Sequence, residues 1–247
     1  AAITSYQTQN LPDVSYDEVF GFSPKIDPGA SVSSRSINEF LPYFGLNYSV
    51  TDNTQVYFAY GKTIGDGKVN QYPNFIQSRS AFDKAGITLQ QIWDTLEPEI
   101  ADKFDLGLRI NGGSWYVAPT LYYSQTTNKP VTAFDPQIGV SYLQNADVTG
   151  YGAELELGME ANSQISVFTG LSYNIFEFDG DIRTAADTVI STNGKQIPDA
   201  PELMAKLGIV YRPTSRWSIS PVVRYVSSRY GDALNTVSIP SYTVADL

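Results

Sequence analysis

The chain has 247 residues and contains neither cysteine nor histidine, which excludes disulfides, thiolate metal sites and catalysis by a histidine base. Its 16 basic and 26 acidic residues give a net charge of −10, so it lacks the basic surface that a nucleic-acid partner requires. It also has no apolar run of about 18 residues or more, the length that a transmembrane helix needs.

Apolar and polar residues alternate along successive segments of the chain. In the segment 103–110, every second residue from Phe104 to Ile110 is apolar, and the residues between them are charged or glycine. This period of two predicts β-strands. In chain order they lie at 43–50, 55–62, 103–110, 115–123, 152–159, 165–175, 205–211 and 217–225, with weaker strands at about 1–9 and 240–247.

The two faces of these strands differ in a way that indicates their surroundings. One face is rich in Leu, Ile, Val and Phe, with Tyr or Trp near the strand ends, and the other carries Gly, Ser, Asn, Thr and scattered charges. Only 17% of all residues are charged, whereas 13% are aromatic. Transmembrane β-barrels have this composition because each strand faces lipid on one side and the lumen on the other.

The connections between the predicted strands alternate in length. Short turns are expected at 51–54, 111–113, 161–164 and 213–216, and long loops at 10–41, 63–99, 125–141, 177–202 and 229–239. Bacterial outer-membrane barrels have short periplasmic turns and long extracellular loops, so the alternation also predicts the orientation of the chain.

The predicted fold is therefore all-β, an antiparallel segment of a transmembrane β-barrel with about ten strands. Long loops are typical of wide barrels, of the class with about 22 strands and a plugged lumen. Because ten strands cannot close such a barrel, we expect residues 1–247 to form a partial outer-membrane barrel domain, without the plug domain and the final strands.

Several stretches of the sequence resemble one family. They are Phe-Leu-Pro-Tyr-Phe-Gly-Leu-Asn-Tyr at 40–48 with the strand at 56–62, Pro-Glu at 98–99 followed by Phe-Asp-Leu-Gly at 104–107, and Gly-x-Glu-x-Glu at 152–156. In this order and spacing they are similar to the barrel of TonB-dependent outer-membrane receptors, over about 40–247. Asp105 stands where that family usually has Glu.

The resemblance implies a location and a set of partners. The family lies in the bacterial outer membrane, in contact with its lipid, and takes up a scarce small-molecule ligand with energy delivered by the TonB protein. An N-terminal plug domain fills the barrel. The stretch Arg-Tyr-Gly-Asp at 229–232 favours the ferric-siderophore branch, and the resemblance implies no catalytic residues, no metal site and no cofactor.

The long loop at 63–99 is the candidate ligand-binding region. It carries aromatic residues among amides and a cation, a composition that suits a ligand surface. The candidate residues are Tyr72, Phe75, Arg79 and Trp93. The alternative is a loop packed on its neighbours, with Phe82 and Trp93 in a small cluster and a short helix within 81–93.

Charged residues on the polar face of the strands are the candidate lumen-facing and plug-facing residues. They are Lys103, Asp105, Arg109, Glu154, Glu156, Lys206 and Arg224. We expect opposite charges on neighbouring strands to pair with each other. The carboxylates at 154 and 156 could instead act as an acid and a base, and those at 179, 181 and 187 could hold a cation; a charged lumen wall and a solvated acidic loop are the simpler interpretations.

Two alternative functions remain open from the sequence. A passive outer-membrane porin would show the same strands but would need no plug. A soluble β-rich domain that binds carbohydrate or acts as an adhesin would also alternate polar and apolar faces, but its polar face would carry many more Lys and Glu residues.

Overall fold

The structure, a computed structural model, describes residues 32–34, 36–65 and 71–247. Its strands are β1 (Tyr43–Thr51), β2 (Thr54–Gly65), β3 (Glu99–Asn111), β4 (Trp115–Asp135), β5 (Val140–Glu160), β6 (Ile165–Phe178), β7 (Ile182–Arg183), β8 (Val189–Ile190), β9 (Leu203–Thr214), β10 (Trp217–Ile219), β11 (Val222–Val226), β12 (Arg229–Tyr230), β13 (Ser238–Ile239) and β14 (Tyr242–Asp246). Three short helices precede β3: α1 (Gln71–Gln77), α2 (Arg79–Ala85) and α3 (Leu89–Thr95).

Most of these strands form one antiparallel sheet of ten strands, in the order β1-β2-β3-β4-β5-β6-β9-β11-β14, with β10 paired to β9. The all-β prediction and the predicted strands between 43 and 211 are confirmed, as is the weak strand at 240–247. The strand predicted at 1–9 lies outside the described residues. The strand predicted at 217–225 is divided into β10 and β11, because Pro221 lies at the break and has no N–H for the ladder.

The apolar face of the sheet is exposed rather than buried. Leu121 is 60% exposed and Leu106 is 51% exposed, although both lie within the central strands. On the same face, aromatic side chains of neighbouring strands stand in register with one another. This row consists of Phe44, Tyr60, Phe104, Tyr123 and Tyr151. We call this side the outer face and the opposite side, which carries the polar residues, the lumen face.

The hairpin of β4 and β5 extends far beyond its neighbours. Both strands have 21 residues, whereas β3 pairs with β4 only as far as Thr127 and β6 pairs with β5 only as far as Val148. The long loop predicted at 125–141 is therefore wrong: most of it continues the two strands, and the connection between them spans only 136–139.

A β-bulge explains why the alternation did not reveal this extension. The register shifts between Thr126 and Lys129, and Asn128 has a φ of 57°. In the part of β4 that precedes the bulge, even-numbered residues such as Thr120 lie on the lumen face. In the part that follows the bulge, odd-numbered residues such as Val131 lie on this face. A bulge adds one residue to one strand, so the alternation changes phase there.

Two buried clusters lie on this extension. The hairpin cluster comprises Val131, Ala133, Ala146, Val148, Phe178, Ile182, Ile190, Ile197 and Ala233. The cap cluster comprises Phe75, Phe82, Ile87, Leu89, Ile92, Leu96, Ile138 and Tyr142. We call helices α1–α3, residues 71–95, the cap. The described helices are all too short or too polar to cross a membrane.

The single helix predicted within 81–93 is two helices in the structure. Gly86, with a φ of 71°, ends α2, because only a residue without a Cβ adopts the left-handed conformation easily. Thr88 and Gln91 then form a capping box at the start of α3. The turn between the helices brings Phe82 and Ile92 into the same cluster.

Candidate functional site

Aromatic rings lie flat over glycines on the lumen face. In each case a Cβ on the glycine would overlap a ring from a neighbouring strand, so the close approach requires glycine. The pairs are Tyr57 over Gly107, Tyr116 over Gly158, Tyr122 over Gly152, Phe168 over Gly208 and Phe176 over Gly150. The rings therefore line the wall instead of projecting into the lumen.

Two of these tyrosines also connect strands that are not neighbours. Tyr57 of β2 crosses β3 and shares a hydrogen bond of 2.5 Å with the Thr120 hydroxyl of β4. Tyr122 of β4 crosses β5 and donates to Asn174 Oδ1 of β6 at 2.5 Å. Each ring thus covers a glycine and joins the strands on both sides of it.

Two of the predicted lumen cations lie on these rings. The Arg109 guanidinium lies 4.5 Å from the centre of the Tyr57 ring, and Lys206 Nζ lies 5.1 Å from the centre of the Phe168 ring. Each ring is packed between a glycine backbone and a cation, and the cation is held by a cation–π contact.

The predicted pairing of opposite charges between neighbouring strands is confirmed for Arg224 alone among the predicted lumen charges that the structure describes. Arg224 forms an ion pair of 2.5 Å with Asp246 of β14 and stands opposite Lys206, a like charge. Glu154 and Glu156 stand opposite Thr120 and Ala118 of β4. Within the described part of the chain, none of the predicted lumen charges forms an ion pair with another of them.

The remaining lumen charges have small or polar neighbours. Lys103 stands between Gly61 and Ser124, and Asp105 stands between Ala59 and Tyr122. Local pairing could not be expected there, because the neighbouring strands offer no opposite charge at these positions. The described wall therefore presents charged groups to the lumen that its own strands do not neutralise.

Negative and positive charges on the lumen face lie on different strands of the wall. Glu154 and Glu156 lie on β5, whereas Lys206 and Arg224 lie on β9 and β11. They border a common cavity of about 320 Å³ on the lumen face, with Gly170 of β6 between them. Nearer the turns, a second cavity of about 380 Å³ is lined by Arg109, Glu156 and Asn111 among others.

The cap separates the predicted ligand-binding residues into exposed and buried ones. Tyr72 is 41% exposed, whereas Phe75 is only 1% exposed and is stacked on Phe82, with ring centres 5.1 Å apart. Phe75 therefore belongs to the cap cluster and presents no ring surface to a ligand in this arrangement. The alternative interpretation, a loop packed on its neighbours, describes Phe82 correctly.

Arg79 and Trp93 are partly buried. The Arg79 guanidinium lies 5.0 Å from the centre of the Phe75 ring, and its Nε lies 2.8 Å from Asp83 Oδ1 in the same helix. Within the described residues, the buried Trp93 Nε1 has no hydrogen-bond partner.

Tyr142 joins the cap to the end of β4 and to the loop between β7 and β8, and no sequence pattern indicates this role. Its hydroxyl donates to Asp135 Oδ2 at 3.1 Å and accepts from the Ala185 N–H at 3.0 Å, while Phe82 packs against its ring edge to face. Burial raises the pKa of this tyrosine. Position 142 belongs to no predicted strand, turn or motif, so no sequence pattern indicates a buried residue there.

The acidic residues considered for a cation have structural roles. Asp181 Oδ1 accepts from the N–H groups of Thr192 and Asn193, each at 3.0 Å, and Asp187 pairs with Arg183 at 2.5 Å. Asp179 receives only a long contact of 3.5 Å from Gln125. In the ranges that the structure describes, no three acidic side chains converge on one point.

Comparison with known proteins identifies the family. The family model described as TonB dependent receptor-like, beta-barrel, matches residues 7–247. The ferrioxamine receptor of Yersinia enterocolitica is 26% identical over 152 residues, which are 61% of this chain and 20% of that protein. The probable TonB-dependent siderophore receptor PiuA of Acinetobacter baumannii is 20% identical over 224 residues, which are 88% of this chain and 28% of PiuA.

Solved structures show the same fold. The crystal structure of PiuA from Acinetobacter baumannii matches with a TM-score of 0.60 and 20% identity, covering 82% of this chain and 28% of that one. The unliganded ferric citrate transporter FecA matches with a TM-score of 0.59 and 19% identity, covering 83% of this chain and 29% of that one.

The chain thus spans between a fifth and three tenths of the proteins that it matches. These relatives are receptors and transporters, and their family consists of β-barrels of the bacterial outer membrane. The chain belongs to the TonB-dependent receptor β-barrel family and is a segment of an outer-membrane barrel wall.

Proposed function

We propose that this chain is the barrel wall and extracellular part of an outer-membrane receptor that imports a ferric siderophore with energy from the TonB protein. The family match over residues 7–247 carries this proposal. The names of two relatives, a ferrioxamine receptor and a siderophore receptor, support the substrate class. The whole receptor is longer than this chain and contains a plug domain within the barrel.

The lumen wall supports the presence of a plug. The carboxylates Glu154 and Glu156 and the cations Arg109 and Lys206 face the lumen without a pairing partner of opposite charge among the described residues. A plug domain with complementary charges would pair with them in a site where water is largely excluded, and such pairs fix the orientation of the partner. Lys103, Asp105 and Arg224 extend the same surface.

The cap supports a ligand site on the extracellular side. Tyr72 in α1 offers an exposed aromatic ring. Arg79, at the start of α2, keeps part of its side chain accessible. The buried Phe75 ring lies against the Arg79 guanidinium, so its role is to position that cation. An aromatic and cationic surface suits a ligand with an anionic or aromatic iron-binding group.

Uptake of radioiron-labelled ferrioxamine by cells that carry the complete receptor tests this function. We expect saturable uptake that disappears in a strain lacking TonB, because the import step requires external energy. A receptor gene with Tyr72→Ala should lower the apparent affinity for ferrioxamine, while Lys84→Ala on the exposed side of α2 serves as the matched control. Uptake that persists without TonB and rises linearly with concentration would contradict the proposal and indicate a passive pore.

A further inference from the structure

Glycine at position 170 differs from the other glycines on the lumen face. A side chain lies close to each of the others: the rings described above cover Gly107, Gly150, Gly152, Gly158 and Gly208, the Tyr43 ring lies 3.3 Å from a Cβ built on Gly61, and Glu99 lies 3.2 Å from one on Gly65. A Cβ built on Gly170 would meet no atom within 4 Å. Its backbone is therefore open to the lumen.

The open backbone at Gly170 forms the floor of a notch with charged walls. Gly170 stands in register between Glu156 of β5 and Lys206 of β9. Together with Glu154 and Arg224, these residues border the cavity of about 320 Å³ on the lumen face. A glycine inside a strand weakens the strand unless something approaches its backbone closely. The notch has the form of a site whose occupant comes from outside the described wall.

We propose that the notch at Gly170 receives an aromatic side chain of the plug domain, which lies flat on the Gly170 backbone. This inference rests on the proposed function, since it requires a plug inside the barrel. The wall itself shows the arrangement repeatedly, because a ring covers the glycine and a cation covers the ring at Gly107 and at Gly208.

The charges around the notch fit the electrostatics of an aromatic ring. The face of a ring is negative and attracts a cation, and its edge is positive and attracts a carboxylate. Lys206 already lies on the Phe168 ring, so Arg224 is the cation beside the notch that can meet the face of an incoming ring. Glu154 and Glu156 border the notch from the other side, where they can meet the edge of that ring. An aliphatic side chain would leave these charges without such contacts.

Among the described residues, the rings that neighbour Gly170 on the lumen face already cover other glycines, so we assign the ring on Gly170 to another part of the receptor. Phe168 covers Gly208, Phe176 covers Gly150 and Tyr122 covers Gly152. The chain spans only 28% of PiuA, so most of a receptor of that size lies outside it. The plug is the part of such a receptor that faces the lumen wall.

Photo-crosslinking in the complete receptor tests the inference. The chain has no cysteine, and a Cβ at position 170 meets no atom of the described wall, so a benzophenone maleimide attached to Gly170→Cys faces the lumen where the plug approaches. After irradiation and proteolysis, mass spectrometry should map the crosslink to an aromatic residue of the plug. Replacing that plug residue with alanine should then raise the reactivity of Cys at 170 towards a soluble maleimide, to the level of a Ser163→Cys control in an exposed turn.

Two results would overturn the inference. One is a crosslink that maps only to barrel peptides or to a plug segment without an aromatic residue. The other is a cysteine at 170 that already reacts as fast as the Ser163→Cys control in the receptor with its native plug. Ferrioxamine uptake by the same Gly170→Cys receptor separates the two proposals: uptake without a plug crosslink refutes the notch alone, and absence of TonB-dependent uptake in the native receptor refutes the proposed function.

Discussion

The barrel wall and the cap place their apolar residues in opposite environments. On the wall, Leu106 and Leu121 are more than half exposed and face outwards, whereas Phe75 and Phe82 of the cap are each 1% exposed. Lipid solvates the side chains of the wall, so the strands need no apolar core of their own. The cap, by contrast, is built around a buried apolar cluster, the arrangement that stabilises a small domain in water.

This difference means that the two regions respond to different changes. The wall is stabilised by its hydrogen-bonded ladder and by the rings that cover its glycines, and it is sensitive to charge on the outer face and to bulk on the lumen face. The cap is sensitive to the loss of buried apolar volume. A change confined to one region therefore leaves the other as a control.

Removal of a buried ring from the cap has the largest expected effect. Phe82→Ala deletes a ring that contacts both Phe75 and Tyr142, and such a deletion costs about 3–5 kcal/mol. Hydrogen exchange of the complete receptor should show faster exchange in 71–95, with unchanged protection in β3 to β6. Tyr72→Ala, at an exposed position, should leave exchange in the cap unchanged; equal loosening of the wall strands would mean that cap and wall are one cooperative unit.

A charge on the outer face of the wall has the next largest effect. Leu155 lies midway between Tyr151 and Met159 on β5, so Leu155→Arg places a cation near the bilayer midplane at a cost of about 2–4 kcal/mol. Folding into lipid vesicles, followed by the heat-modifiable shift on gels, measures the loss. The adjacent Glu154→Arg puts the same charge on the lumen face and should assemble well. Equal assembly of the two variants would show that the faces are assigned wrongly.

A side chain added to a glycine that lies beneath an aromatic ring of the lumen face has a smaller effect on the stability of the wall. Gly158→Ala places a Cβ where the Tyr116 ring lies, and overpacking of this kind costs about 1–3 kcal/mol. Urea unfolding of the complete receptor in vesicles should show this loss, and the double variant with Tyr116→Ala should recover part of it. The single variant Tyr116→Ala is the control, and a double variant no more stable than Gly158→Ala alone would show that the ring does not determine where glycine is needed.

Acidification has the smallest effect and acts on the loop between β12 and β13. Burial alone would raise the pKa of Asp232, but hydrogen bonds from the Val237 and Thr236 N–H groups and the Thr236 hydroxyl lower it below its ordinary value. A lowered native pKa means that the stabilisation is complete at neutral pH and is lost as the pH falls through that native value. Exchange protection of the Thr236 and Val237 amides should therefore fall in acid, and Asp232→Asn should remove most of this pH dependence.

The sequence predicts the strands of the wall because their alternating faces can be recognised from residues that are neighbours in the chain. Period-two alternation placed the strands from 43 to 211, their faces and the short turns at 51–54, 111–113 and 161–164, and the structure confirms them. The alternation fails where a bulge shifts its phase, at Asn128, and where Pro221 breaks a strand. Both failures follow from local backbone geometry that a simple period cannot represent.

The packing of rings on the lumen face and within the cap depends on contacts between residues far apart in the chain. The pattern placed Gly208 on the lumen face but could not show that the Phe168 ring covers it, or that Lys206 lies on that ring. For the same reason the sequence makes Phe75 a candidate for a ligand surface, whereas the structure buries it with Phe82 and Tyr142 in the cap cluster. Aromatic residues in a loop indicate a cluster or a binding surface equally well until their neighbours are known.

Cysteine accessibility on intact cells tests most directly the claim that this chain is a barrel wall with its cap outside the cell. The chain has no native cysteine, so each introduced thiol reports a single position. In the complete receptor, an impermeant maleimide should label Asn74→Cys in the cap and Ser191→Cys in the loop after β8, and should fail to label Asn53→Cys and Ser163→Cys in the short turns until the outer membrane is opened. Labelling of all four positions on intact cells, or of the short turns alone, would contradict the account.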